Sequence, residues 1–174
     1  APIATGKYPT VSGLEHDELG HPSGNPGLHM RMTAKRREKI KALAASLPVP
    51  EVHGDPDGEV LLVGWGSTWG PVREAVNRLR AGGTRAGQIH LRHLNPLPPG
   101  LDEIFARYRN VLVVEMNDEG LYGFGQMAMM LRARYALPSI RSVTKTDGLT
   151  FRISEILGGV TRNLGANGAN GAHA

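Results

Sequence analysis

Residues 59–83 constrain the fold of this chain more than any other stretch. They read Glu-Val-Leu-Leu-Val-Gly-Trp-Gly-Ser-Thr-Trp-Gly-Pro-Val-Arg-Glu-Ala-Val-Asn-Arg-Leu-Arg-Ala-Gly-Gly. Val60, Leu61, Leu62 and Val63 form an unbroken apolar run, the pattern of a strand covered on both faces. Gly64, Gly66 and Gly70 permit a tight turn and close backbone approach. Pro71 suits a first helical turn, where its missing N–H costs nothing. Val72, Ala75, Val76 and Leu79 then recur at i, i+3, i+4 and i+7, one apolar helix face, and Gly82 with Gly83 ends it. The unit is strand, glycine turn, helix.

Two readings of the turn stay open: an anion cradle at a helix N-terminus, using Gly64, Gly66, Ser67 and Thr68, or a tight connection with no ligand. The dinucleotide fingerprint does not fit. The spacing is G-x-G-x-x-x-G, and the next strand, Gln88 to His93, runs into Leu94 and Asn95 with no carboxylate to hold a ribose.

Downstream, strands and helices continue to alternate. Gln88-Ile-His-Leu-Arg-His is a second strand. Leu101, Ile104, Phe105 and Tyr108 make a helix face, with Asp102 and Glu103 at its positive end. Val111-Leu-Val-Val-Glu is a third, buried strand. Asn117 to Gly125 form a second glycine loop. Gln126 to Tyr135 reads as a helix with Met127, Met130 and Leu131 inward, the methionines as core filler. Ile140-Arg-Ser-Val-Thr is a fourth strand, and Ile153, Ile156, Leu157 and Val160 mark the last helix. This order predicts an α/β fold of three layers, a mostly parallel sheet with helices on both faces. Ligands of such sheets meet the carboxyl ends of the strands, here Gly64–Gly70, His93–Asn95, Glu115–Asp118 and Lys145–Asp147.

The first 58 residues have a different character. Tyr8-Pro-Thr-Val-Ser-Gly is turn-like. Gly13-Leu-Glu-His-Asp-Glu-Leu-Gly-His-Pro-Ser-Gly-Asn-Pro is polar, with no core-forming period, and is expected to be a loop lying over something else. Glu15, His16, Asp17, Glu18 and His21 match no zinc spacing and no second ligand cluster follows, which argues against a dedicated metal site. Thr33 is the expected cap of a helix from Ala34 to about Ser46, with Ile40, Leu43 and Leu47 as a narrow stripe. Residues 48–58 read as a linker. The expected division is therefore loop, helix and linker from a preceding domain over 1–58, an α/β domain over 59–160, and a disordered low-complexity tail over 161–174. His173 in that tail carries no evident chemistry.

Composition limits the function classes. The formal charge is +4, and the chain has no cysteine. It can supply neither disulfides nor thiolate or iron–sulfur ligands, and the composition fits a reducing, cytoplasmic setting. No apolar run nears the roughly 20 residues of a membrane span, and the N-terminus shows no signal peptide. Residues 1–58 hold 7 basic and 7 acidic residues; 59–174 hold 13 and 9. Lys35, Arg36, Arg37, Lys39 and Lys41 cluster, but Glu38 interrupts them, as on a solvated helix face. No nucleic-acid partner is expected. A chain without an initiator Met is expected to be a fragment or processed product.

Three stretches resemble one family. Gly13-Leu-Glu-His-Asp-Glu-Leu-Gly-His-Pro-Ser resembles a segment of the alpha subunits of 2-oxoacid:ferredoxin oxidoreductases, especially the 2-oxoglutarate type. Val114-Glu-Met-Asn with the loop to Gln126 is similar to the same subunits, as is Thr144-Lys-Thr-Asp-Gly-Leu-Thr-Phe with Glu155-Ile. The likeness spans nearly all of residues 8 to 157. It implies that 59–160 form a transketolase C-terminal-like domain in a hetero-oligomer. That complex oxidises a 2-oxoacid with thiamine diphosphate and Mg²⁺, transfers the acyl group to coenzyme A and passes electrons through [4Fe-4S] clusters to ferredoxin. It further implies that the pyrimidine-binding domain lies upstream, and that the diphosphate site and at least one cluster belong to a beta subunit. This segment would then be structural, not catalytic alone. His16, Asp17, Glu18 and His21 would lie near the active-site mouth or a subunit interface. Glu115 and Asn117 match a transketolase-like strand end, against the plainer reading of a carboxylate capping the next helix. The rival functions are a non-catalytic assembly module and a free-standing α/β enzyme that binds a phosphate-bearing ligand at Gly64–Gly70.

Overall fold

A computed structural model describes residues 13–170. Tyr8 and its turn, and His173, lie outside the described residues. The chain divides into two compact units, Ala1–Leu47 and Pro48–Ala174.

In the first unit, residues 13–25 lead into helix α1, Pro26–Ser46. The helix begins eight residues before the Ala34 expected from the sequence. Asn25 is the cap, its Oδ1 accepting from the Leu28 N–H at 3.0 Å, with Pro26 opening the first turn. Those are the preferred residue types for those two positions. Thr33 is therefore mid-helix, where its hydroxyl accepts from Arg36.

The second unit is a five-stranded sheet: β1 (His53–Gly54), β2 (Gly58–Trp65), β3 (Ala86–Leu91), β4 (Tyr108–Glu115) and β5 (Ile140–Thr144). The spatial order is β1-β3-β2-β4-β5. β3, β2, β4 and β5 run parallel, and β1 is an antiparallel edge. Helices α2 (Trp69–Ala81), α3 (Leu101–Phe105), α4 (Gln126–Tyr135) and α5 (Ile153–Asn170) complete it.

The apolar run of β2 divides between two cores as side chains alternate across the sheet. Val60 and Leu62 join Val72, Val76 and Ala86 with Ile156 of α5 on one face. Leu61 and Val63 join Ile89, Leu101, Phe105 and Leu131 on the other. β4 does the same, with Leu112 and Val114 facing α2 and α5 while Val111 and Val113 face α3 and α4. All eight of these strand residues are fully buried, each side chain contributing roughly 1.5–3 kcal/mol.

Several boundaries differ from the sequence expectation. The sheet starts at His53 inside the supposed linker, because His53 and Gly54 pair with Gln88 and Gly87. Tyr108 opens β4 instead of closing α3. Its hydroxyl donates to the Asp55 carbonyl, tying that linker to the sheet. Met130 faces outward, and Ala128 is buried beside Met127 and Leu131. The tail expected to be disordered from residue 161 is helical to Asn170. Leu164 continues the apolar face of Ile153 and Leu157 against the core, which carries the helix past its Gly-rich sequence.

Candidate functional site

The strand order fixes where the working edge lies. From β2 the chain moves to β3 on one side, and from β4 it moves to β5 on the other. The two connections diverge, so the ends of β2 and β4 flank the switch point where open α/β sheets bind ligands. Gly64 is paired in register with Val114, next to Glu115. The Gly64–Thr68 turn and the Glu115–Asn117 strand end therefore lie side by side at this edge.

The turn is used internally. Gly66–Thr68 form a 3-10 turn, with Gly66 at φ +59°. Thr68 is buried, its hydroxyl accepting from the Trp65 N–H at 3.0 Å and donating to the Trp65 carbonyl at 2.9 Å. Gly64 is needed for that contact, since a Cβ there would lie 2.6 Å from Thr68 Oγ1. Ser67 is exposed.

Glu115 is fully buried and serves α4. The N-cap residue of α4 is Gly125, which has no side chain to cap the helix. Glu115 reaches across instead, Oε2 accepting from the Met127 N–H at 3.0 Å and Oε1 from the Ala128 N–H at 3.1 Å. Asn117 Nδ2 donates a third bond to Oε2 at 2.9 Å. A carboxylate at a helix N-terminus satisfies two orphan donors and complements the positive end of the dipole.

At the end of β5, the Lys145 ammonium donates to both oxygens of Glu155 at 2.7 Å and pairs with Asp147 at 3.1 Å. Its side chain is only 8% exposed. The Glu155 bond raises the lysine above its ordinary value. Lys145 and then the Arg152 N–H hold the Glu155 carboxyl down. Thr144-Lys-Thr-Asp-Gly is thereby fastened to the first turn of α5.

The rim also exposes apolar side chains. Leu121 is 98% exposed and Tyr122 76%, both in the 3-10 turn after β4. Met116 and Leu149 stand exposed on the loops after β4 and β5, and Trp69 at the first position of α2. Large apolar groups gathered at one edge mark an interaction surface more often than groups scattered singly.

Beyond β3 lies an open cavity of about 780 Å³. It exists because β1 is short. Continuing the β1–β3 register would set Pro50 opposite Leu91, and prolines at 48 and 50 cannot donate to a ladder. The alternation of β3 puts Gln88 and His90 on the α2 face, and Arg92 beyond the strand end keeps the same parity. They line the cavity with Trp69 and Arg73 of α2, and His93. Gln88 Nε2 donates to the Trp69 carbonyl at 3.1 Å, while Gln88 Oε1 and His90 Nδ1 are buried without a partner. Burial first, then the Arg92 charge, pushes the His90 pKa down. Of these residues only Trp69 and His93 fall in the strand ends marked out from the sequence, Gly64–Gly70 and His93–Asn95. The period-2 polar stripe Gln88, His90, Arg92 on an otherwise buried strand was the available signal.

His16, Asp17, Glu18 and His21 belong to the other unit, where they form a braced turn. His16 and Pro22 make an isolated antiparallel bridge. Asp17 Oδ1 accepts from the Leu19 and His21 N–H groups, each at 2.9 Å, and these bonds hold its pKa down. Lys35 donates to Glu18 at 2.9 Å. Glu15 receives both Arg36 nitrogens at 3.1 and 3.0 Å and pairs with His29 at 2.5 Å. The segment expected as a loop lying over something else is pinned to α1. Among the described residues no group of three His, Asp or Glu is arranged to hold a metal. With no cysteine in the chain, the donor set does not fit an iron–sulfur cluster.

Comparison with known proteins follows the same outline. The model of the pyruvate:ferredoxin oxidoreductase core domain II matches residues 58–156. The 2-oxoglutarate oxidoreductase subunit KorA of Mycobacterium tuberculosis is 39% identical over 159 residues, covering 85% of this chain and 23% of that protein. The 2-oxoacid:ferredoxin oxidoreductase 2 alpha subunit of Aeropyrum pernix is 36% identical, covering 88% and 24%. The solved 2-oxoglutarate:ferredoxin oxidoreductase of Magnetococcus marinus, with 2-oxoglutarate, coenzyme A and succinyl-CoA bound, superposes at TM-score 0.75 and 31% identity. That superposition covers 94% of this chain and 28% of the neighbour. A split-gene transketolase at TM-score 0.53 and 16% identity shares the fold. The chain therefore spans about a quarter of the length of these relatives.

Proposed function

The chain belongs to the 2-oxoacid:ferredoxin oxidoreductase alpha-subunit family, through its core domain II, and on that premise we propose that it is the C-terminal part of the alpha subunit of a 2-oxoglutarate-type enzyme. In that reading residues 59–160 are the transketolase C-terminal-like domain. The complex is cytoplasmic and hetero-oligomeric. It removes CO₂ from the oxoacid, passes the acyl group to the thiol of coenzyme A and delivers the two released electrons to ferredoxin.

Thiamine diphosphate, Mg²⁺ and the [4Fe-4S] cluster would supply carbanion stabilisation and electron transfer from other segments and the beta subunit. The residues of this chain position and support. Glu115 is consumed as a helix cap, and Thr68 as a turn bond. Lys145 is consumed by its two carboxylates. None of the three is free to hold or move a proton. The observation that carries the reading is the apolar rim, with Leu121 and Tyr122 projecting almost fully into solvent where the parallel strands end. Such a rim is suited to a protein surface. The His16–His21 turn is proposed as a second contact, at the active-site mouth or a subunit interface.

Native mass spectrometry of the purified assembly tests this. A cluster-bearing partner and 2-oxoglutarate-dependent ferredoxin reduction by the assembly, with no turnover by the 174-residue chain alone, is the expected result. An assembly lacking any cluster-bearing partner would leave the assembly-module reading in its place.

A further inference from the structure

Several arginines of the second unit have a carboxylate. Arg78 pairs with Glu74, Arg80 with Asp55, Arg85 with Asp57 and Arg109 with Glu59. Arg132 donates to the carbonyls of Pro138 and Ile140. Arg73 and Arg92 differ from these in facing one cavity. Among the described residues neither makes a salt bridge, and both line the same 780 Å³ cavity. Arg73 instead lies over the Trp69 ring, 5.2 Å from its centroid. His53, His90 and His93 stand in the same walls, with Glu51 the one acidic side chain among the lining residues.

We propose that this cavity beyond β3 is a binding site for a phosphate-bearing anion, held between the Arg73 and Arg92 guanidiniums. Three features converge on that class. Two planar five-donor groups without a carboxylate suit phosphate oxygens, which guanidinium forks bind in bidentate fashion. The half-exposed Trp69 ring, already stacked by Arg73, presents a π-face to a planar group attached to the phosphate. The wall is polar by construction, since the β3 stripe sets Gln88, His90 and Arg92 along it in place of apolar side chains. This site is distinct from the Gly64–Thr68 turn. It stands whether or not the oxidoreductase assignment holds, because it rests on the cavity and its charges alone.

The chain has two tryptophans, so emission of the full 174-residue chain reports on Trp69, and W69F identifies its share. Inorganic phosphate, pyrophosphate and adenosine 5′-diphosphate are titrated at constant ionic strength, with chloride as control. A saturable change with pyrophosphate or the nucleotide, weakened about tenfold or more by R73Q and by R92Q, is expected from loss of a bidentate charge-assisted pair. R78Q, at a paired surface arginine, should leave binding unchanged. Tighter binding of the nucleotide than of pyrophosphate identifies a nucleotide through stacking on Trp69; equal binding identifies a free polyphosphate. No saturable response, or equal affinities in R73Q, R92Q and the parent with each variant folded by circular dichroism, overturns the proposal.

Discussion

Gly125 and Glu115 are fitted to one another: a Cβ on Gly125 would sit inside the Glu115 carboxylate. The glycine at the start of α4 makes room for a cap delivered from the end of β4. Replacing Glu115 by Gln keeps one acceptor oxygen and turns the other into a donor that faces either the Met127 or the Ala128 N–H group. E115Q is expected to lower stability by roughly 1–3 kcal/mol, the cost of leaving buried donors unsatisfied. G125A should cost a similar roughly 1–3 kcal/mol through overpacking. Urea unfolding of each variant and the double mutant checks this. The double-mutant cycle should be strongly non-additive, since both changes disrupt one contact.

Tyr108 predicts an alkaline limit. Its phenol is pushed up to about 12, chiefly by burial and then by Asp57 and Asp55, against an ordinary value of 10.0. Between those values the unfolded chain loses the proton and the folded chain keeps it. Stability is therefore full below about pH 10 and falls as pH rises toward 12. Y108F should flatten that slope while costing about 1 kcal/mol at neutral pH for the lost bond to the Asp55 carbonyl. Melting temperatures of parent and variant from pH 8 to 11.5 separate the two effects.

Glu15 predicts the acid counterpart in the first unit. The Arg36 hydrogen bond, with His29 contributing, lowers its pKa from 4.5 to about 2. The depressed value means that the stabilisation is present above pH 4.5 and is lost as pH falls toward 2. Hydrogen-exchange protection factors across residues 13–36, corrected for the intrinsic rate at each pH, should fall through that window in the parent. In E15Q protection factors should already be low at pH 6 and change little with pH. A parent whose exchange protection is unchanged from pH 5 to pH 2 would rule out the Glu15–Arg36 brace.

The same helix shows what sequence reading can and cannot reach. The parallel core was legible because Val60–Val63 and Val111–Val114 are short apolar runs, and few folds bury such runs on both faces. α1 was misplaced because Asn25-Pro26 sits among Gly24, Gly27 and Pro22, so a strong start signal read as loop. Tyr108 follows Ile104 by four residues and so imitated a helix face, while the sheet register claimed it for β4. β1 has two residues and no period to detect. The cap role of Glu115 was one of two readings the sequence left equal, because the distance from a strand end to a later helix start is a tertiary fact. The cavity was missed for the same reason: its walls come from the linker, the start of α2 and the end of β3.

The cap of α1 gives a direct test of that correction. Asn25 accepts from the Leu28 N–H, whereas Thr33 is seven residues inside the helix. N25A is expected to lose about 1 kcal/mol of helix stability, as N-cap deletions do. T33A should stay within about 0.5 kcal/mol, since alanine is the better helix former at an interior position. Amide exchange at Gly27, Leu28 and His29 distinguishes the two. A larger effect of T33A than of N25A would return the helix start to Ala34.

Leu121 and Tyr122 carry the functional prediction furthest. Neither side chain contributes to either core, so L121D should leave the melting temperature of the isolated chain within about a degree, as surface changes away from structural contacts do. In the proposed assembly the same change would place a carboxylate in an apolar contact, where an unpaired charge is strongly unfavourable. Association with the beta subunit should weaken at least about tenfold, equivalent to 1.4 kcal/mol, with ferredoxin reduction falling in proportion to the complex lost. Y122A should weaken association less, because it removes apolar area without burying charge. The decisive measurement is co-purification of tagged alpha and beta subunits alongside turnover per assembled complex. If L121D assembles normally and turns over normally, the rim after β4 is not the docking face, and the partner must engage this domain elsewhere.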